Sequence, residues 1–394
     1  MRPLRLRRST TTKVFRITSV VIIAAALHAA APKPKLVREI NVNALIHESE
    51  GLMPSTHSVQ ALAFSPDNKW IAVAVGRHYK PGTSDPREFA SHVIVVPTEG
   101  DAAHPLQIDP GVWVTQNALI WAPDSSAVLI SADAAPKWYA IPGGELWKHG
   151  KPDSRLNMVL GFVDARLGMA YASQEERSRA EREGAPRVLY IFDLTGRIVD
   201  EWRVPSRWWF AAVNPDRHLV AVSEDSRLAS APFPIFAYPS KAEIQGWSVD
   251  KTFGWPNFAE AGKTVCGFGG YGRAVPYATC WDVDTGKKIA GFRGFRGGDP
   301  VSVSSQASRI VLTHIRNYRG ITEEFDMHSY HDRVVWDFRT DKVIAEWVPI
   351  TQATETGMRP PEDKRTEFGP SVISPSGRYI AEGSNGIIRI YELP

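Results

Sequence analysis

The feature that most constrains the fold is a segment that recurs along the chain. Each copy consists of an apolar strand, a Pro followed by Asp or Ser, a polar turn and a second alternating strand. The clear copies are ALAFSPDNKWIAVAV (61–75), LIWAPDSSAVLISA (119–132), AAVNPDRHLVAVS (211–223) and SVISPSGRYIAEGS (371–384). Pro fixes φ for a turn, and Asp or Ser bonds the neighbouring backbone. Each copy therefore predicts a tight β-hairpin.

Further segments extend this repeat to seven units. Weaker hairpin copies lie at 161–173, 257–268 and 302–313, and a third strand follows each hairpin, as in ATCWDVDTG (278–286). An aromatic residue recurs shortly after five of these third strands. These residues are Trp147, Trp202, Trp247, Phe292 and Trp347. Such regular spacing indicates one supersecondary unit of three or four strands that repeats.

The repeat length and the two chain ends indicate how the units are arranged. About 360 residues follow the first segment, or about 50 per unit, slightly above the 40–45 of a propeller blade. The last unit ends at Pro394 after three strands, whereas KLVREINVNA (35–44) is a strand with no unit of its own. We predict an all-β fold, a seven-bladed β-propeller that spans 36–394 as one domain. The N-terminal strand completes the last blade and removes its exposed edge.

The hairpins with SPD-type turns and following I-A-V strands resemble the WD40-like β-propeller repeats of bacterial cell-envelope proteins such as TolB. Trp281-Asp282 and Trp336-Asp337 stand where WD40 blades have their characteristic dipeptide. The resemblance implies a toroidal fold and the binding of partners. It implies no particular chemistry, because one fold hosts many functions.

The first 31 residues have the organisation of a secretory signal peptide. A basic segment precedes the apolar stretch Ile17–Leu27, and the small residues Ala29 and Ala31 follow it. The apolar stretch is shorter than the roughly 20 residues that span a bilayer. We expect residues 1–31 to be cleaved and the protein to be periplasmic or extracellular. The alternatives are an uncleaved N-terminal anchor, or a cytoplasmic protein with an unusual leader.

The charge of the chain separates into a basic leader and a mildly acidic body. The net charge is +3, but residues 1–35 hold eight basic residues and no acidic one. The remainder has 38 basic residues against 43 acidic ones. Nucleic-acid binding needs a basic surface, so we expect no nucleic-acid partner. We expect contact with a membrane only through an uncleaved leader, and we expect the protein to be a monomer.

The two cysteines fall on neighbouring strands of the fifth unit. Antiparallel pairing would place Cys266 and Cys280 roughly opposite each other. In an oxidising compartment this arrangement allows a cross-strand disulfide. Two buried free thiols are the alternative.

The longest connections between strands are expected to lie on one face. If the strands of a blade are labelled a to d from the centre outwards, the b–c and d–a connections share one face, and the tight a–b and c–d turns share the other. Long loops on a rigid scaffold usually carry binding residues, and aromatic residues and Arg are enriched at interface hot spots. The predicted binding residues are Trp113, Arg207, Trp208, Trp209, Trp255, Tyr271, Arg273, Arg293, Arg296, Tyr318 and His331. The alternatives are Trp packing between blades and a solvated Arg–Tyr surface.

One b–c connection is highly charged. Residues 173–186 (SQEERSRAEREGAP) place Glu175 four residues before Arg179, which is a favourable spacing on a helix. The segment predicts a short solvated helix without an apolar face.

The chain contains only parts of the established catalytic, metal-binding and phosphate-binding motifs. The acidic segment 323–332 carries His328 and His331 but matches no established metal motif. Gly262-Lys263-Thr264 lacks the first glycine of a phosphate loop, and no G-x-S-x-G sequence occurs. We therefore predict no metal site, no cofactor and no catalytic residues.

Together these observations favour an exported, non-catalytic propeller that binds a protein or peptide of the cell envelope through its loop-rich face. The alternative is a propeller enzyme that acts on a glycan or small molecule at the central channel, with residues from several blades.

Overall fold

The computed structural model describes most of the chain. The described residues are 31–46, 57–77, 91–100, 105–108, 114, 118–131, 136–144, 152–205, 208–224, 234–244, 254–268, 278–292, 302–315, 331–347, 370–384 and 386–394. Within these ranges the strands form seven antiparallel sheets, which are the blades of a β-propeller. First strands of neighbouring blades contact one another at most of the seams, so these strands surround the centre of the ring.

The strands follow the chain from blade to blade, except that the first strand, β1 (Lys35–Asn41), belongs to the last blade. Blade 1 contains β2 (His57–Phe64), β3 (Trp70–Arg77), β4 (Ser91–Pro97) and β5 (Leu106–Ile108), and blade 2 contains β6 (Leu119–Trp121), β7 (Ala127–Ile130) and β8 (Lys137–Ala140). Blade 3 contains β9 (Leu156–Phe162), β10 (Leu167–Ala172), β11 (Arg187–Asp193) and β12 (Ile198–Val204). Blade 4 contains β13 (Trp208–Asn214), β14 (Leu219–Glu224), β15 (Ile235–Ala237) and β16 (Ala242–Glu243).

The remaining blades complete the ring. Blade 5 contains β17 (Gly254–Ala259), β18 (Thr264–Phe268), β19 (Ala278–Asp282) and β20 (Lys288–Phe292), and blade 6 contains β21 (Ser302–Val303), β22 (Arg309–Ile315), β23 (His331–Asp337) and β24 (Lys342–Trp347). Blade 7 contains β25 (Ser371–Ile373), β26 (Tyr379–Ser384), β27 (Ile387–Glu392) and β1. The helix α1 (Gln174–Glu183) lies between β10 and β11, and short 3-10 turns lie at Val42–Ala44 and Glu260–Gly262.

The predicted closure of the ring is confirmed. Strand β1 pairs antiparallel with β27, with Lys35 opposite Glu392 and Asn41 opposite Ile387. Arg389 on β27 also donates from Nε to Glu39 Oε2 over 2.7 Å. The N-terminal strand thereby supplies the outer edge of blade 7, which the carboxyl-terminal strands leave open.

Side chains alternate between the two neighbours of each blade because successive residues of a strand point to opposite faces. On β3, Val73 packs towards blade 7 in a cluster that contains Ile388 and Ile390. The intervening residues Ala72 and Ala74 pack towards blade 2. The core therefore consists of the seams between blades, and each strand contributes to two of them.

The recurring Ser-Pro turn is stabilised by its own side chains. In blade 1, Ser65 Oγ donates to Asp67 Oδ1 over 2.6 Å and accepts a hydrogen bond from the Trp70 amide over 3.0 Å. In blade 7, Ser374 Oγ accepts from the Tyr379 amide over 3.0 Å. These bonds satisfy backbone groups that the tight turn would otherwise leave open.

Candidate functional site

The b–c and d–a connections define the loop-rich face, and the a–b and c–d turns define the tight-turn face. Of the predicted binding residues, seven lie outside the described residues: Trp113, Arg207, Tyr271, Arg273, Arg293, Arg296 and Tyr318. Trp209, Trp255 and His331 belong to β13, β17 and β23, where the structure describes their backbone.

Trp208 lies in the seam between blades 3 and 4 rather than on the surface. Its side chain is buried, and its ring packs edge-on against Trp202, with a centroid separation of 6.2 Å. Its ring also lies 5.1 Å from Phe236. Of the two interpretations of the tryptophans, packing between blades describes Trp208.

The tight-turn face is joined from blade to blade by hydrogen bonds between turns. The Asp67 amide donates to Ser125 Oγ over 3.1 Å, which links blades 1 and 2. The Gln306 amide donates to the Pro375 carbonyl over 3.0 Å, which links blades 6 and 7. The Ser376 amide donates to Asn68 Oδ1 over 3.0 Å, which links blade 7 back to blade 1. This face uses its polar groups to hold the ring together.

The loop-rich face contains buried polar atoms that make no hydrogen bond among the described residues. They lie at strand ends on this face, in four different strands. The four atoms at strand ends are Trp208 Nε1, Ser223 Oγ, Thr279 Oγ1 and Ser371 Oγ. The tight-turn face has one comparable atom within the described ranges, Thr98 Oγ1. A buried polar group without a partner costs about 1–3 kcal/mol, and among the described residues such groups are concentrated at the loop-rich ends of the strands.

Glu382 is the charged exception in a position that is apolar in every other blade. It is the fourth residue of β26, and the fourth residues of the equivalent strands are Val73, Ile130, Ala170, Val222, Gly267 and Leu312. Its side chain is only 4% exposed and faces blade 6, where Arg333 is 7% exposed. The sequence carried this signal, because IAE at 380–382 stands where blade 1 has IAV at 71–73.

The surroundings of Glu382 favour the protonated acid. Burial raises the pKa of its carboxyl group to about 7, although the positive charges of Arg333 and Arg389 act in the opposite direction. The Trp347 indole also lowers this pKa, but it approaches the carboxylate outside ordinary hydrogen-bond geometry. Burial of Tyr391 itself, together with the charge of Glu382, raises the pKa of the Tyr391 hydroxyl. A carboxyl group with such a pKa exchanges its proton near neutral pH.

The helix α1 lies in the b–c connection of blade 3 and is part of the loop-rich face. The prediction of a short helix in this b–c connection is confirmed. Ser173 Oγ accepts a hydrogen bond from the Glu176 amide over 3.3 Å and caps the helix. One side of α1, which includes Glu176, Arg177 and Ala180, faces the blade across a cavity of about 200 Å³.

Three arginines line this cavity: Arg177, Arg179 and Arg187. Arg187 is 6% exposed and donates from Nη1 to the Trp208 carbonyl over 3.1 Å. The Arg177 guanidinium lies 5.7 Å from the centre of the Tyr171 ring, a cation–π contact. Burial raises the pKa of Tyr171 to about 12, so its ring stays neutral beneath the cation. The cavity therefore presents fixed positive charge.

Cys266 and Cys280 lie directly opposite each other on β18 and β19. Their sulfur atoms form a disulfide, with an S–S distance of 2.11 Å, and both residues are fully buried. Of the two states that the sequence allows, the structure contains the bridge.

Neither a metal centre nor a membrane span is found within the described ranges. No group of three His, Cys, Asp or Glu side chains could hold a metal ion there. No helix in that part of the chain is long and apolar enough to cross a membrane. The acidic segment 323–332 lies outside the described residues, apart from the first two residues of β23.

Comparison with known proteins shows the fold. No protein-family model matches the chain, and no curated protein matches it. A chain from the crystal structure of a mitotic checkpoint complex superposes with a TM-score of 0.53 and 14% identity. The match covers 94% of this chain and 98% of that chain. At this identity the likeness shows a shared propeller architecture, and function has to be argued from the site.

Proposed function

We propose that this protein is an exported, non-catalytic scaffold that binds a protein or peptide of the cell envelope through its loop-rich face. The observation that carries the proposal is the difference between the two faces. The tight turns bond to one another from blade to blade. The opposite rim keeps buried polar atoms without hydrogen bonds among the described residues, and it bears the arginine-lined cavity.

The architecture supports a binding role. Propellers present loops on a rigid ring, and such loops commonly form recognition surfaces. The similar chain in the mitotic checkpoint structure belongs to a complex, so that protein assembles with others. We extend the binding of partner proteins to the present chain, and we propose that it acts as a monomer.

Two features support export. The leader at 1–31 has the organisation of a signal peptide. The Cys266–Cys280 bridge suits an oxidising compartment, where disulfides persist. The repeat sequences further support membership of the WD40-like repeat proteins of the bacterial envelope.

Partner binding is tested by affinity capture with a matched pair of charge reversals in blade 3. Arg179 is exposed on α1 at the loop-rich face, and Arg197 is exposed beside a c–d turn at the tight-turn face. We expect Arg179→Glu to lose envelope proteins that the wild type captures, and Arg197→Glu to retain them. Equal loss in both variants, or in neither, would contradict binding through the loop-rich face.

Export is tested separately by fusing residues 1–35 to an enzyme that is active only in the periplasm. We expect activity from the fusion and none when charged residues interrupt the apolar stretch Ile17–Leu27. An inactive wild-type fusion would contradict export and leave the capture result unaffected.

A further inference from the structure

The cavity under α1 has the dimensions of a single amino-acid group. It lies between the helix and the beginning of β11, and its volume is about 200 Å³. Sites for drug-sized ligands usually occupy about 300–1,000 Å³. The space therefore suits one side chain or one chain end of a larger partner.

The charge of the lining selects the sign and size of the ligand charge. Three arginines and two carboxylates, Glu176 and Glu183, line the cavity, which gives a formal excess of one positive charge. Tyr190 donates its hydroxyl hydrogen to Glu176 over 3.4 Å. A carboxylate would balance this charge. A phosphate group carries about −1.5 to −2, and it would meet repulsion from both glutamates.

The hydrogen-bonding capacity of the lining fits an acceptor. Arg177 Nε is buried and makes no hydrogen bond among the described residues. Arg187 holds a second guanidinium at the cavity, and a guanidinium has only hydrogen-bond donors. Carboxylates accept charge-assisted hydrogen bonds from guanidinium groups, which are about twice as strong as neutral ones.

The rest of the wall is aliphatic. Ala172, Ala180, Pro186 and Val188 line the cavity beside the arginines. Such a wall packs against the methylene groups that carry a carboxylate, while the guanidinium groups meet its oxygens.

We infer that this cavity is a carboxylate-binding subsite, which receives an acidic side chain or the terminal carboxylate of a partner polypeptide. The inference rests on the proposed partner-binding function and specifies its chemistry. The bound group makes hydrogen bonds with Arg177 and Arg187, and it offsets the positive charge that α1 and β11 hold together.

The test is a titration of the full mature protein, labelled at its alanine methyl groups and followed by NMR. Ala172, Ala180 and Ala185 line the cavity and report on it, whereas Ala381 in blade 7 serves as a distant reference. Four probes separate the sources of the ligand. They are N-acetylglutamate N-methylamide for a side chain, N-acetylalanine for a chain end, N-acetylglutamine N-methylamide as the neutral match, and N-acetylphosphoserine N-methylamide for a phosphate.

We expect saturable shifts of the three cavity methyl groups with one or both carboxylate probes, and no saturable shift with the glutamine probe. The variant Arg177→Ala/Arg179→Ala should weaken binding by about tenfold or more, because charge-assisted bonds are lost. Arg197→Ala is the matched control and should bind as the wild type does. An unchanged spectrum outside the cavity shows that each variant is folded.

Several outcomes would overturn the inference. These are equal shifts with the glutamate and glutamine probes, unchanged affinity in the double variant, or tighter binding of the phosphoserine probe than of both carboxylates. If the carboxylate probes fail while Arg179→Glu still abolishes partner capture, this inference falls and the proposed function stands. If capture is insensitive to both charge reversals while the probes bind, the cavity is a carboxylate site, but the proposed partner binding through the loop-rich face falls.

Discussion

Blade 7 packs against blade 1 on one side and against blade 6 on the other, and the two seams are built differently. The seam with blade 1 is apolar, with Val73, Ile388 and Ile390 buried in one cluster. The seam with blade 6 buries Glu382 and Arg333 beside the aliphatic residues of its core. The core of the seam with blade 1 therefore relies on hydrophobic packing, and its polar contacts, such as that of Ser376 with Asn68, lie at the tight-turn face. Stability alone does not explain why the seam with blade 6 contains buried charged residues. Proteins in which hydrophobic residues replace a buried ion pair are often equally stable or more stable.

The largest loss of stability is expected when a carboxylate is introduced into the seam between blades 7 and 1. Val73→Glu places a carboxylate at the position equivalent to Glu382, among the aliphatic residues of the first seam. We expect a loss of about 3–5 kcal/mol in the free energy of unfolding, as for an uncompensated buried charge. Urea denaturation at pH 8 measures the loss, with Val73→Ala as the control for lost volume. If both variants lose the same amount, the two seams do not differ in their tolerance of charge.

The disulfide in blade 5 provides a reference loss of stability that should not depend on pH. Replacing both Cys266 and Cys280 by Ala removes a bridge across 14 residues. The expected loss is about 3 kcal/mol, chiefly because the unfolded chain gains freedom. Denaturation at pH 5 and at pH 8 should give the same loss, since neither change alters a group that titrates in this range. A loss that depended on pH would remove this reference.

The pH dependence of stability tests the charged seam directly. The pKa of Glu382 is about 7 in the folded protein and near its ordinary 4.5 in the unfolded chain. The folded state therefore binds the proton more tightly. Its contribution to stability is complete below about pH 4.5 and is lost as the pH rises through 7. Burial raises the pKa of the neighbouring Tyr391, so its hydroxyl stays neutral across this range.

We expect the free energy of unfolding to fall by about 2 kcal/mol between pH 5 and pH 8 through this one group. The variant Glu382→Gln cannot ionise, so it should lack this decrease and should be more stable than the wild type at pH 8. Urea denaturation of both proteins at the two pH values measures the difference. If the two proteins have parallel pH profiles, Glu382 does not titrate in the seam.

The smallest effect is expected on the tight-turn face. Arg217 Nη2 donates to Asp284 Oδ1 over 2.5 Å and links blades 4 and 5, but both side chains are partly exposed. Exposed pairs contribute about 0.2–1 kcal/mol, so Arg217→Ala should lower stability by less than about 1 kcal/mol. Thermal denaturation in low and high salt measures the loss, which should shrink in high salt. A loss as large as that of the disulfide variant would show that single turn contacts carry the ring.

The regular parts of the fold could be predicted because each depends on neighbours in sequence. The Ser-Pro-Asp turn at 65–67 and the alternating strand that follows it are local patterns, and both recur as hairpins in the structure. The helix at 174–183 and the opposition of Cys266 and Cys280 likewise follow from short-range spacing. Closure of the ring by the N-terminal strand could be predicted from the number of strands in each unit.

The site could be predicted only in outline. Trp208 has the residue type of a binding hot spot, yet it packs against Trp202 and Phe236, because residue type does not say which side of a strand faces a seam. Glu382 was visible in the sequence as the one acid among apolar equivalents, but alignment of the seven second strands was needed to find it.

By itself the sequence determined the number of blades, the hairpins within them and the strand that joins the two ends of the domain. These features follow from a period of two and from turn residues, which act over a few positions. The tertiary structure alone decided that Glu382 lies within the electrostatic influence of Arg333 and close to Trp347. It also decided that Arg187 lines the cavity under α1 and donates a hydrogen bond to the Trp208 carbonyl. Contacts between blades depend on how the sheets pack around the ring, and no local pattern of residues encodes that packing.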